Sequence, residues 1–152
     1  MCGLIGCAGP DIQLADIEVL KQLMKVSTLR GTDGTGILQG KFNKLEYGPN
    51  NSFFIEKSVA EVNRFLQFHN GPDGNKLLFW DINDNVFMAH VRWATKGVLK
   101  RENNHPFDVG NIIGMHNGTL EDDKYKPVGD GTDSELLLKD INDRDALTVL
   151  SE

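Results

Sequence analysis

The residues best equipped for chemistry stand at the start of the chain, in Met1-Cys2-Gly3-Leu4-Ile5-Gly6-Cys7. A side chain as small as cysteine at position two normally lets methionine aminopeptidase remove the initiator. The chain then begins with a residue carrying both a thiol and a free α-amine, a nucleophile and a base in one place. An unperturbed thiol has a pKa of about 8.5 and is only slightly ionised near neutral pH. An α-amine with a pKa of about 7.7–8.0 is a suitable proton shuttle for it.

Further polar clusters follow: Arg30-Gly31-x-Asp33, His90-x-Arg92-Trp93-Ala94-Thr95-x-Gly97, His116-Asn117-Gly118 and Thr132-Asp133-Ser134-Glu135. Each has a structural reading when taken alone. Arg30 suits the C-terminal dipole of a helix. Asn117-Gly118 is a common hairpin-turn pair. Asp133 fits an N-cap, with Glu135 in the first turn. His90 and His116 read as hydrogen-bonded core histidines, and Cys7 as a small buried apolar residue. No CxxC or HxxxH spacing joins Cys2, Cys7 and the histidines, so a metal site is not expected.

These clusters need elements to position them. Residues 3–8 are small and apolar, end at Gly9-Pro10, and predict a buried strand. Ile12, Ile17, Leu20, Leu23, Met24 and Leu29 recur at helical spacing, with Asp11 or Asp16 to cap the start. The turn-rich run from Arg30 to Gly36 stops that helix. Short strands are expected over Gly36–Gly40, 44–47 and Ser52–Glu56, then a helix from Ser58 to Phe68 with Ser58 as its cap. A loop over 70–75, a short strand over 77–80, a turn over 81–85 and a strand from Val86 to Trp93 come next. A polar loop over 97–104, a strand over Asn111–His116 and a helix over Asp133–Ile141 complete the pattern. Strands in runs with a few helices favour a layered α+β or α/β sandwich.

Composition sets the outer limits. A chain of 152 residues is one domain with room for a real core. The net charge of -6, without a Lys/Arg-rich run, gives no electrostatic footprint for nucleic acid. No apolar stretch approaches the roughly 20 residues of a membrane span, and a basic secretory n-region is absent. Two cysteines, both early, make no disulfide framework. A cytoplasmic, reduced, acidic protein is expected.

In order and together, the clusters are far more specific than any one of them. The sequence resembles the glutaminase domain of the class II glutamine amidotransferases, which are N-terminal-nucleophile hydrolases. Cys2 to Gly6 match that family's opening Cys-Gly-(Ile/Leu)-x-Gly, and Arg30, Gly31, Asp33 and Gly36 match its Arg-Gly-x-Asp-x-x-Gly. The His-x-Arg-Trp-Ala-Thr-x-Gly motif is complete from His90 to Gly97. Asn104-His105-Pro106, His116-Asn117-Gly118 and Thr132-Asp133-Ser134-Glu135 match the remaining blocks.

The resemblance implies an α+β fold, a four-layer αββα sandwich, over a single glutaminase-type domain of residues 1–152 with no synthase domain. The family domain continues beyond its Thr-Asp-x-Glu block, so this one is expected to be shortened at its C-terminal end, as a compact version or a fragment. It implies L-glutamine as substrate and Cys2 as nucleophile, forming a γ-glutamyl thioester. Asn117 and Gly118 match the oxyanion hole, where losing one donor typically costs about 2.7–4 kcal/mol of barrier. Arg92 matches the α-carboxylate clamp and Asp133 the acid that receives the α-ammonium. Trp93 and Thr95 line the glutamine pocket, and Arg30 and Asp33 shape it around the nucleophile. Lys96 stands where some members have histidine. No metal or organic cofactor is implied, and the ammonia is expected to pass to a separate synthase. Two other readings remain open: a non-catalytic binding or regulatory module on the same fold, and an amidase for a different amide. The paired charges of Arg92 and Asp133 argue against the latter, because they suit a free amino acid.

Overall fold

Alternation of Gly3, Ile5 and Cys7 with Leu4, Gly6 and Ala8 makes strand β1 (Gly3–Ala8), whose Ile5 and Cys7 pack against the core while Leu4 stays exposed. The computed structural model describes residues 1–42, 52–69 and 84–151. Helix α1 (Leu14–Val26) follows, and it buries Ile17, Leu20 and Met24 at helical spacing. Its N-cap is Gln13, not Asp11 or Asp16. Asp16 acts from the first turn, its carboxylate accepting the Gln13 N–H at 2.8 Å to close a capping box. A 3-10 turn over Ser27–Leu29 then ends the helix and delivers Arg30.

Strands β2 (Gly34–Lys41), β3 (Ser52–Ser58) and β4 (Val86–Arg92) join β1 in an antiparallel sheet of order β1-β4-β2-β3. Ala89 of β4 sits between Ile5 and Ile37, so one face of three strands is apolar in register. Helix α2 (Val62–His69) starts later than expected. Ser58 pairs with Thr35 as the last residue of β3, and Glu61 caps the helix by accepting the N–H groups of Asn63 and Arg64. Helices α1 and α2 cover the sheet, closing a core of Ile17, Met24, Ile37, Val62, Phe65, Phe87, Ala89 and Val91. Burying side chains such as Phe65 and Phe87 contributes roughly 1.5–3 kcal/mol apiece.

The strand expected over Asn111–His116 is instead half of a hairpin, β5 (Phe107–Val109) and β6 (Ile112–Gly114). Gly110 turns it with a φ of 63°, and Asn142 steadies it by accepting the Asn111 N–H at 2.8 Å. Helix α3 (Asp133–Arg144) packs on both strands, and a short helix α4 (Ala146–Leu150) follows it. Thr132 caps α3, its hydroxyl accepting the Glu135 N–H. Asp133 is therefore the first helical residue rather than the cap, which releases its carboxylate for other contacts. The architecture is α+β. The strands expected over 44–47 and 77–80, the loop over 70–75 and most of the turn over 81–85 lie outside the described residues. Among the described residues, no helix is long and apolar enough to cross a membrane.

Candidate active site

Residue 2 is where separated clusters meet. The Cys2 carbonyl accepts hydrogen bonds from Arg30 Nε at 2.8 Å and Asn117 Nδ2 at 3.0 Å. Its sulfur accepts the main-chain N–H of Trp93 at 3.3 Å and lies 3.5 Å from the Trp93 carbonyl. Strand pairing explains the last contact: β1 runs antiparallel beside β4 with Gly3 opposite Val91, so Cys2 continues the register to Arg92 and reaches the adjoining Trp93. Met1 is 80% exposed, and its peptide bond engages the Cys2 nitrogen. Cys7, the other free cysteine, is half-buried and packs against the core, away from this cluster.

Arg92, at the end of β4, is buried. Its Nη2 donates to Lys96 O at 2.8 Å, and its Nη1 donates to Asn104 Oδ1 at 3.2 Å and Val98 O at 3.4 Å. The guanidinium thus gathers residues 96–104 around itself and leaves its Nε hydrogen and one Nη2 hydrogen for a further acceptor. Burial lowers its pKa, and the Cys2 and Asp33 groups oppose that shift; a guanidinium stays charged regardless. Asp33 fixes the next turn by donating its N–H to Arg92 O at 3.0 Å and accepting the Ala94 N–H at 2.8 Å. A Cβ on Gly31 would overlap the Arg92 carbonyl, and one on Gly36 would overlap the His105 carbonyl. The glycines of the Arg30–Gly36 run are therefore needed for close backbone approach.

Asp133 is equally buried and fully engaged. One carboxylate oxygen accepts the Ser134 N–H at 2.8 Å; the other accepts the Leu120 N–H at 2.9 Å and lies 3.5 Å from Lys96 Nζ. Ser134 Oγ in turn contacts His116 Nδ1 at 3.0 Å. Thr95 and Thr119 pair through their hydroxyls at 3.3 Å.

Behind these residues His90 and His105 stack, with ring centroids 4.1 Å apart. Both are buried, and neither ring makes a hydrogen bond of good geometry among the described residues, although His90 faces the main chain of His116 closely enough to feel its dipole. Burial pushes the His90 pKa down to about 4 and that of His105 down to about 2. Both rings are neutral, and that of His105 forms the floor of the site.

A small pocket opens over this floor. Cys2, Arg92, Trp93, Thr95, Lys96, Gly118 and Asp133 line it, with Asn103, His105, His116, Thr132 and Ser134. Arg30 and Asn117 do not line it; they act on the Cys2 carbonyl from outside. Residue types and order singled out most of these positions. Asn103 was missed, as was Thr119, which pairs with Thr95 without lining the pocket. Asn103 is a loop anchor whose amide donates to Val98 O and Asp130 O, and nothing in its spacing announces that. Among the described residues, no group of three or more His, Cys, Asp or Glu side chains could hold a metal ion. The pocket brings together a thiol, a cation able to take a carboxylate, and a carboxylate able to take an ammonium.

Comparison with known proteins points the same way. Residues 52–146 match the family described as glutamine amidotransferases class-II, a stretch that contains Arg92 and Asp133 and begins after Cys2 and Arg30. The chain is 30% identical over 123 residues to the glutamine–fructose-6-phosphate aminotransferase (isomerizing) of Pyrococcus horikoshii, covering 80% of this chain and 17% of that protein. The Sulfolobus acidocaldarius protein of the same name is 31% identical over 130 residues, covering 82% and 19%. That of Staphylococcus aureus is 32% identical over 124 residues, covering 80% and 17%. The chain thus spans less than a fifth of the length of these relatives.

Proposed function

Since the chain belongs to the class II glutamine amidotransferases, we propose that it hydrolyses L-glutamine to glutamate and ammonia with Cys2 as the nucleophile. The observation that carries this reading is the convergence of the Cys2 sulfur, Arg92 and Asp133 on one small pocket. Arg92 has two hydrogens left for the α-carboxylate, and such a charge-assisted pair is both strong and directional. Asp133 takes the α-ammonium. Held at both ends, the side-chain amide is placed against the sulfur, which is the positional part of the catalysis.

Removal of Met1 frees the Cys2 amine. That amine takes the thiol proton as sulfur attacks the amide carbon, and returns it to the departing ammonia. The resulting γ-glutamyl thioester is then hydrolysed by water. The N–H of Gly118, which lines the pocket, receives the oxyanion in both steps; Asn117 joins it through the amide hydrogen not used on the Cys2 carbonyl, which requires its side chain to turn into the pocket. Arg30 and the first Asn117 hydrogen hold the Cys2 carbonyl, and so the sulfur, in place. Trp93 and Thr95 wall the pocket.

The surrounding architecture fits an N-terminal-nucleophile αββα layering, with α1 and α2 outside the large sheet and α3 outside the hairpin. The two free thiols suit a reducing compartment such as the cytoplasm. We assign the ammonia to an acceptor bound by a synthase. The test is glutamate release by purified protein whose Met1 has been removed. Cys2→Ala should abolish it; release by that variant at the unmutated rate would end this reading.

A further inference from the structure

In this structure the Asp133 carboxylate already faces an ammonium. Lys96 Nζ lies 3.5 Å from Asp133 Oδ2 and donates to the Leu120 carbonyl at 2.6 Å. A carboxylate oxygen and a main-chain carbonyl are the acceptors that a bound α-ammonium would also seek. The two partners differ in freedom. The Asp133 side chain is 6% exposed, whereas that of Lys96 is 30% exposed on a flexible four-carbon stem. The anchoring of Lys96 is also divided, because its main-chain carbonyl holds Arg92 Nη2 independently of its side chain. The side chain can leave without dismantling the Arg92 clamp.

We propose that Lys96 is a tethered competitor for the ammonium subsite and thereby the residue that sets substrate specificity at this pocket. The proposal rests on the reading of Asp133 as the ammonium partner. A substrate bearing an α-ammonium must displace Lys96 to reach Asp133. An amide that lacks the α-amine leaves the pair intact, so no buried charge loses its partner. The pocket therefore discriminates weakly between glutamine and glutaramate, which is glutamine without its α-amine.

Calorimetric titration of the Cys2→Ala chain, Met1 removed, reads this directly without turnover. With Lys96 present, L-glutamine and glutaramate should bind within about threefold of each other. Lys96→Met should tighten glutamine by about two- to fivefold, the range expected for removing a partly exposed ion-pair competitor, while glutaramate binding weakens. Lys96→Gln, which keeps a donor for the Leu120 carbonyl, serves the same purpose if the methionine variant does not fold. Unchanged glutamine affinity, or equal weakening of both ligands as a merely structural role would give, overturns the proposal alone. If glutamine binds none of the folded variants, the glutaminase reading fails with it.

Discussion

Arg92→Lys is the most informative single change, because the structure gives Arg92 two roles that a lysine would separate. The guanidinium makes three hydrogen bonds to protein acceptors around the 96–104 loop, two through Nη1 and one through Nη2. A lysine nitrogen is a single point and cannot span acceptors held on different sides of a planar fork. We expect it to keep one of these bonds and lose two. At roughly 1.5 kcal/mol for a hydrogen bond to a charged group, the low end of the measured range, the loss is about 3 kcal/mol. For a chain of this size that lowers the melting temperature by about 6–12 °C. Urea unfolding of the variant and the unmutated chain measures the first quantity, and a thermal melt followed by circular dichroism the second. If the α-carboxylate also binds there, KM for glutamine rises while kcat falls less. A variant with unchanged unfolding energy would refute the loop-gathering role, even if its KM rises.

Other outcomes follow from the same contacts. Cys2→Ala keeps the carbonyl that Arg30 and Asn117 hold, so its melting temperature should stay within about 2 °C of the unmutated value while turnover falls to background; a large drop would show that the sulfur itself supports the fold. Gly36→Ala places a methyl against the His105 carbonyl, a backbone group that cannot rotate away, and should cost at least 1–3 kcal/mol as overpacking typically does; an unchanged melt would refute the close approach. His90 and His105 are held neutral with pKa values lowered to about 4 and about 2, below the roughly 6.5 of an unfolded histidine. The unfolded chain then binds more protons as the pH drops below about 6.5, so stability present above that pH is lost on acidification, by at most about 3 kcal/mol per pH unit for two groups. Denaturation midpoints at pH values on either side of 6.5 test this, with the double replacement of His90 and His105 by Gln as control; a slope that survives the replacement belongs to other groups.

Most of the site was legible because chemistry constrains residue type. A thiol behind the initiator, an arginine within a His-x-Arg-Trp run and an acid at a helix start are visible in sequence, and here they share a pocket. What spacing could not reveal was how contacts are divided. Asn117 reads as a turn or an oxyanion donor, yet its amide reaches the Cys2 carbonyl, a partner 115 positions away. The strands of the large sheet were readable from short apolar runs ended by turn residues, as β1 illustrates. Boundaries failed where a side chain competed for a role. Ser58 looks like a cap but its backbone is committed to β3, and Glu61 caps instead. The hairpin of β5 and β6 was hidden because each strand is only three residues long, too short for a period to register.

The double grip on the Cys2 carbonyl has a consequence for maturation. Arg30 and Asn117 hold Cys2 from its C-terminal side, through an atom that trimming never touches. The contacts that seat the sulfur against Trp93 are thus formed with Met1 still in place, so under the function proposed above the cut after Met1 would free the amine without rebuilding the site. Were Cys2 the nucleophile, a population retaining Met1 would be dormant yet keep the grip of Arg30 and Asn117 on its carbonyl.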